Sequence, residues 1–102
     1  MRERDIETYL REKVRAAGGK AYKWTSPGNA GVPDRIVMLP GGRVAFVELK
    51  APGKKATPLQ VNQQRTISNL GLPVTVIDSK AGADAFISRM QAAGGLPTWP
   101  EQ

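Results

Sequence analysis

Asp34, Glu48 and Lys50 are the residues of this chain whose types and spacing can do chemistry. They lie in "GVPDRIVMLPGGRVAFVELK", residues 31–50, where two short apolar runs flank Pro40-Gly41-Gly42. That pattern predicts a β-hairpin, yet each strand carries an acid where a hydrophobic residue is expected. Side chains alternate along a strand, so Glu48 and Lys50 share one face about 7 Å apart, while Val47 and Leu49 point the other way into a core. Asp34, at the start of the first strand, lies across the hairpin where it can approach Glu48. Two adjacent carboxylates repel unless a cation sits between them. Asp34 and Glu48 therefore read as oxygen ligands for a hard divalent ion, Mg²⁺ or Mn²⁺. Lys50 then faces the attacking water and the phosphate. Taken singly, each residue also suits a plainer place: Glu48 and Lys50 on a solvated strand face, Asp34 at a turn after Pro33. The joint Asp…Glu-x-Lys pattern on adjacent strands favours the site.

Composition narrows the chemistry further. The chain has no histidine, which removes Ser/His/Asp triads, histidine-based nucleases and His-containing catalytic zinc sites. It has no cysteine, so neither disulfides nor thiolate metal sites arise. Hydrolytic chemistry must then rest on carboxylates, lysine and a hard metal ion. With 15 Lys and Arg against 9 Asp and Glu, the formal net charge is +6 and a polyanionic partner is favoured. Nucleic acid comes first, with anionic lipid and acidic proteins as alternatives. No apolar run approaches the roughly 18 residues of a membrane span. The opening "MRERDIETYLREKVRAAGG" lacks the apolar centre of a signal peptide, so a cytoplasmic location is expected.

The elements that must position these residues follow from periodicity. Ile6, Leu10, Val14 and Ala17 recur at helical spacing from Asp5 to Ala17, and Gly18-Gly19 stop the run. Short strands are expected at 20–24, 34–39 and 43–50, and a further strand at 73–78. Thr57 reads as the N-cap and Pro58 as the first residue of a helix running to about Leu70. A closing helix is expected at 81–91. The fold class is α/β: a single domain over residues 1–91 with a mixed β-sheet flanked by helices, in the order αβββαβα. Residues 92–102, "AAGGLPTWPEQ", read as a C-terminal tail.

"GVPD", then "VELK" after a hairpin-length gap, then "PLQ" opening a helix, resembles the virus-type replication-repair nuclease family, VRR-NUC, of the PD-(D/E)xK nuclease superfamily. The likeness also takes in "DIETYL", "SPGNAGVPDRI" and "VAFVELKAPG", and runs from about Asp5 to Phe86. The resemblance implies a PD-(D/E)xK nuclease-like domain in which Asp34 and Glu48 bind the metal and the Leu49 backbone carbonyl is a further ligand. It implies that Lys50 is the catalytic lysine, orienting or activating the attacking water. Glu7 matches the acid of the first helix that completes the site, and Gln60 the glutamine that orients water or substrate. Standalone members of the family are small homodimeric enzymes that cut branched DNA, four-way (Holliday) junctions included, in bacterial or phage-infected cells.

Two of these positions have an independent reading. At about 100° per residue, Glu7 falls beside Val14 at the border of the apolar stripe, where an acid can lean over the sheet edge or simply pair with Arg11 at i+4. Gln60 lies near a helix N-terminus with Gln64 one turn further on the same face; a polar helix residue there otherwise just meets solvent. Arg4, Arg11 and Arg15 group on the first helix, Lys20 and Lys23 on the next strand, and Lys54 and Lys55 in the loop after Lys50. Together they form a phosphate track, and with only six aromatic residues contact with phosphate and shape is favoured over base reading. The expected function is a Mg²⁺- or Mn²⁺-dependent endodeoxyribonuclease acting on branched DNA as a homodimer, with no membrane partner. The alternative from another class is a non-catalytic nucleic-acid-binding module, which has no need of two acids beside bound phosphate. The sequence offers "VTVI" (74–77), Leu96 and Trp99 as candidates for the pairing surface.

Overall fold

The spacing of Ile6, Leu10 and Val14 winds one apolar stripe along α1 (Glu3–Ala16), and all three side chains are buried. The computed structural model describes residues 1–92. After α1 come β1 (Lys20–Lys23), β2 (Arg35–Leu39), β3 (Arg43–Leu49), α2 (Pro58–Asn69), β4 (Val74–Ile77) and α3 (Lys80–Ala92), the expected αβββαβα order. The tail expected from residue 92, with Leu96 and Trp99, lies outside the described residues after Ala92.

The sheet runs β1-β2-β3-β4. β1, β2 and β3 pair antiparallel, with Arg35 opposite Val47 and Leu39 opposite Arg43. Gly41 and Gly42 close the β2–β3 turn at φ of 90° and 73°, a conformation costly for any side chain with a Cβ. β4 pairs parallel with β3, placing Glu48 opposite Val76. A parallel neighbour needs a crossover, and α2 supplies it.

Strand alternation divides the molecule. On one face Val37, Leu39, Ala45, Val47 and Leu49 pack with α1 and with Ala83, Phe86, Ile87 and Met90 of α3, forming the core. Each fully buried Leu or Ile there contributes about 1.5–3 kcal/mol of transfer free energy. Tyr9 joins α1 to α3: its hydroxyl donates to Asp84 Oδ1 at 2.7 Å, which raises the Tyr9 pKa. The opposite face carries Asp34, Ile36 and Met38 of the β2 run and Val44, Phe46 and Glu48 of β3. α2 buries a single apolar side chain, Ile67. The core therefore fixes the sheet from one side and leaves the acids on the other.

Candidate active site

Asp34 immediately precedes β2 and Glu48 is the last but one residue of β3, so the sheet register brings the two together at one end of the sheet. The Asp34 carbonyl accepts from Trp24 N–H at 2.7 Å, and its carboxylate Oδ2 accepts from Leu49 N–H at 2.8 Å. Backbone and side chain are thus both anchored to neighbouring strands. Pro33 bears on the other backbone group of Leu49, its carbonyl. Continuing the β2–β3 register places Pro33 opposite Leu49, and proline has no N–H to give to the Leu49 carbonyl. In a strand the N–H and C=O of one residue point to the same edge. The Leu49 carbonyl is therefore directed toward the Asp34 side of β3 with no ladder donor facing it.

Glu48 is 2% exposed. Its Oε2 accepts from Gln60 Nε2 at 2.9 Å and lies 3.5 Å from Lys50 Nζ. Its Oε1 is buried without a hydrogen-bond partner among the described residues. Burial raises the Glu48 carboxyl from its ordinary 4.5 to about 7, with the nearby Asp34 charge adding to the rise and Lys50 opposing it. An orphaned buried carboxylate oxygen beside a second carboxylate is what a hard cation satisfies. The donor set of Asp34, Glu48 and the Leu49 carbonyl thus fits Mg²⁺ or Mn²⁺. Among the described residues no three acidic side chains converge on one point, so any such ion would complete its shell with water.

Gln60 reaches Glu48 because α2 begins with a closed capping box. Gln60 N–H donates to Thr57 Oγ1 at 3.2 Å, and Thr57 N–H donates to Gln60 Oε1 at 2.9 Å. With Oε1 committed to Thr57, the amide must present Nε2 to Glu48. The loop before Asp34 is tied to the same helix: Gln63 Nε2 donates to the Ala30 carbonyl at 3.2 Å. A Cβ on Gly31 would stand 3.0 Å from Leu59, and its φ of 89° is itself glycine-favouring.

The structure brings Asp34, Glu48, Leu49, Lys50 and Gln60 together. Glu7 has other partners: its Oε2 accepts from Arg35 Nη2, and its Oε1 lies 3.8 Å from Arg11 Nη1. Arg4, Arg11, Arg15, Lys20, Lys23, Lys54 and Lys55 are all exposed. Lys23, opposite Arg35, stands at the Asp34 end of the sheet, whereas Lys20, opposite Met38, stands toward the β2–β3 turn. Trp24 and Phe46 pack their rings at 5.1 Å, half-buried on the acids' side of the sheet, and Tyr9 is half-buried against the core.

Three features escape motif reading. Thr57-Pro-Leu-Gln60 is a capping box whose four-residue signature is visible in sequence. The part played by Pro33 needs the strand register. Arg35 shares strand parity with core residues Val37 and Leu39, so a charge there signals a partner, but nothing in the sequence says which.

The chain is 51% identical over 80 residues to "Putative nuclease p44" of Acyrthosiphon pisum secondary endosymbiont phage 1, covering 78% of this chain and 86% of that protein. It superposes on a solved "VRR_NUC domain" with a TM-score of 0.79 at 32% identity, covering 84% of this chain and 94% of that one. No protein-family model matches it. The relatives, the αβββαβα order and the paired acids at one end of the sheet agree: the chain belongs to the VRR-NUC family.

Proposed function

We propose that this protein is a metal-dependent endodeoxyribonuclease that hydrolyses phosphodiester bonds in branched DNA, with Asp34, Glu48 and the Leu49 carbonyl as metal ligands. The observation that carries the reading is the placement of two carboxylates on one sheet face, one of them 2% exposed with an unpartnered oxygen, beside the Lys50 ammonium. A fold gains nothing from such a pair unless a cation is to join it. Mg²⁺ or Mn²⁺ bound there supplies Lewis-acid stabilisation of charge on the phosphate and lowers the pKa of water.

The chain's own residues do the rest. Leu49 N–H holds Asp34 in place, and Gln60, fixed by Thr57, holds Glu48. Lys50, 3.5 Å from Glu48 Oε2 and largely buried, keeps a cationic head at the sheet end, where it can orient the attacking water and offset negative charge on the phosphate. Arg4, Arg11, Arg15, Lys20, Lys23, Lys54 and Lys55, all exposed, supply the phosphate contacts. The family resemblance supports a homodimer acting on four-way junctions. No helix among the described residues is long and apolar enough to cross a membrane, which is compatible with a cytoplasmic enzyme.

Cleavage of linear, flapped and four-way DNA with Mg²⁺ or Mn²⁺ tests the proposal. Asp34→Asn and Glu48→Gln are each expected to abolish cleavage while the fold persists and DNA binding is retained or tightened, because negative charge near phosphate is removed. Near wild-type cleavage by either variant sinks the site assignment. Tight DNA binding with no cleavage by the wild type would leave only a nucleic-acid-binding module.

A further inference from the structure

Arg35 occupies a position that strand alternation assigns to the core. It stands opposite Val47 on the face shared with Val37 and Leu39, and it is 9% exposed. A guanidinium there is tolerated only if its charge is met. Glu7 meets it from α1, accepting from Arg35 Nη2 with Oε2, while the other Glu7 oxygen lies 3.8 Å from Arg11. Arg35 Nε is buried with no hydrogen-bond partner among the described residues, so the Glu7 carboxylate is the acceptor that keeps this side chain in place. Asp34, the next residue back, projects to the opposite face toward Leu49 and Glu48.

We infer that Arg35 is a positioning residue: paired with Glu7, it clamps the start of β2 to α1 and so fixes Asp34 on the other face. Neighbouring residues of one strand share a backbone. Fixing the Arg35 side chain on the core face therefore fixes the peptide from which Asp34 projects on the other. The Trp24 N–H bond to the Asp34 carbonyl and the Glu7–Arg35 pair grip the same peptide from two directions. The activity arm of this inference rests on the nuclease reading; its stability arm does not.

A double-mutant cycle with Glu7→Gln and Arg35→Met measures the clamp. Glu7→Gln alone strands a buried guanidinium and should lower Tm by more than about 10 °C. In the Arg35→Met background the same substitution removes a carboxylate with no buried charge to neutralise. There it should leave Tm close to that of Arg35→Met itself. Arg35→Met should lower kcat about 10–100-fold through displacement of Asp34, with KM for DNA little changed. Arg35→Lys, which keeps a cation for Glu7, should recover most of that loss. The inference is overturned if Glu7→Gln lowers Tm as much when residue 35 is Met as it does in the wild type, or if Arg35→Lys recovers none of the kcat lost in Arg35→Met. An unchanged kcat in Arg35→Met removes the positioning role. If Glu7→Gln alone fails to fold, the comparison within the Arg35→Met background still decides. A wild type that cuts no DNA defeats the nuclease reading, and the Tm arm continues to report on the clamp.

Discussion

Glu48 is a carboxyl group buried to 2% exposure, and burial governs its protonation. Its carboxyl is raised from 4.5 to about 7, by burial first and the Asp34 charge second. A group that holds its proton more tightly folded than unfolded stabilises the fold at low pH, and loses that contribution as pH climbs from about 4.5 through 7. Without divalent ions, wild-type Tm should therefore decline over that window relative to Glu48→Gln. The amide imitates the protonated acid and removes this titration, so Glu48→Gln should melt above the wild type at pH 8. A Glu48→Gln protein with the same or lower Tm there would contradict the raised titration. Lys50 and its neighbours give a second test. Lys50→Ala should cost about 10²–10⁴-fold in kcat, the usual contribution of a positioned proton-transfer or charge-stabilising group. Lys54→Ala and Lys55→Ala, both exposed, should weaken DNA affinity modestly and flatten its salt dependence. Similar behaviour of all three would reduce Lys50 to a phosphate contact. Asp34, Glu48 and Lys50 were legible in sequence because strand alternation is local and period two. Arg35 was not, because its partner lies 28 positions away on another element.

α2 shows why an element can matter beyond its burial. It contributes one buried apolar residue, Ile67, yet its first turn holds Glu48 through Gln60 and its second holds the Ala30 carbonyl through Gln63. The helix is fixed to the site by polar bonds more than by packing. Thr57→Ala opens the capping box and should cost about 0.5–2 kcal/mol of stability. It also frees the Gln60 amide to rotate, so kcat should fall, by less than in Gln60→Ala, which loses the bond to Glu48 outright. Equal kcat in Thr57→Ala and wild type would separate the cap from the site. The helix start was readable from Thr57-Pro58, and the seven elements from hydrophobic period, with ends shifted by one or two residues. The sidedness of α2 was not readable. Its sequence "PLQVNQQRTISN" has no clean apolar stripe, because little of it faces a core.

At the scale of the whole molecule, the surface around α2 and β4 is unlike the rest. Residues 58–77 include one charged side chain, Arg65, in a chain that is 24% charged. Leu59, Val61, Leu70, Leu72 and Val76 are exposed there, Leu70 at 75%. Val61, Gln64, Arg65, Ser68 and Val74 line a shallow hollow, and Gln64 Nε2 is buried without an acceptor among the described residues. β4 is an edge strand, so its outer backbone groups face away from the sheet. Two copies of a chain with formal charge +6 repel wherever their basic surfaces meet. A near-neutral apolar patch is where they can approach, and depletion of charge is the compositional mark of an interface core. Any homodimer is therefore expected to form across α2 and β4, which include the expected "VTVI" edge. Gln60 at the head of α2 would then tie each active site to the interface. Sedimentation at micromolar concentration should give about twice the 11.0 kDa chain mass. Leu70→Asp combined with Val76→Asp should shift it to monomer with Mn²⁺ affinity retained. Four-way junctions, with two symmetry-related strands to cut, should be cleaved in preference to linear duplex by the dimer and lose that preference in the monomer. A wild-type monomer that degrades linear duplex equally well would leave the nuclease in place and remove both the dimer and the junction selectivity.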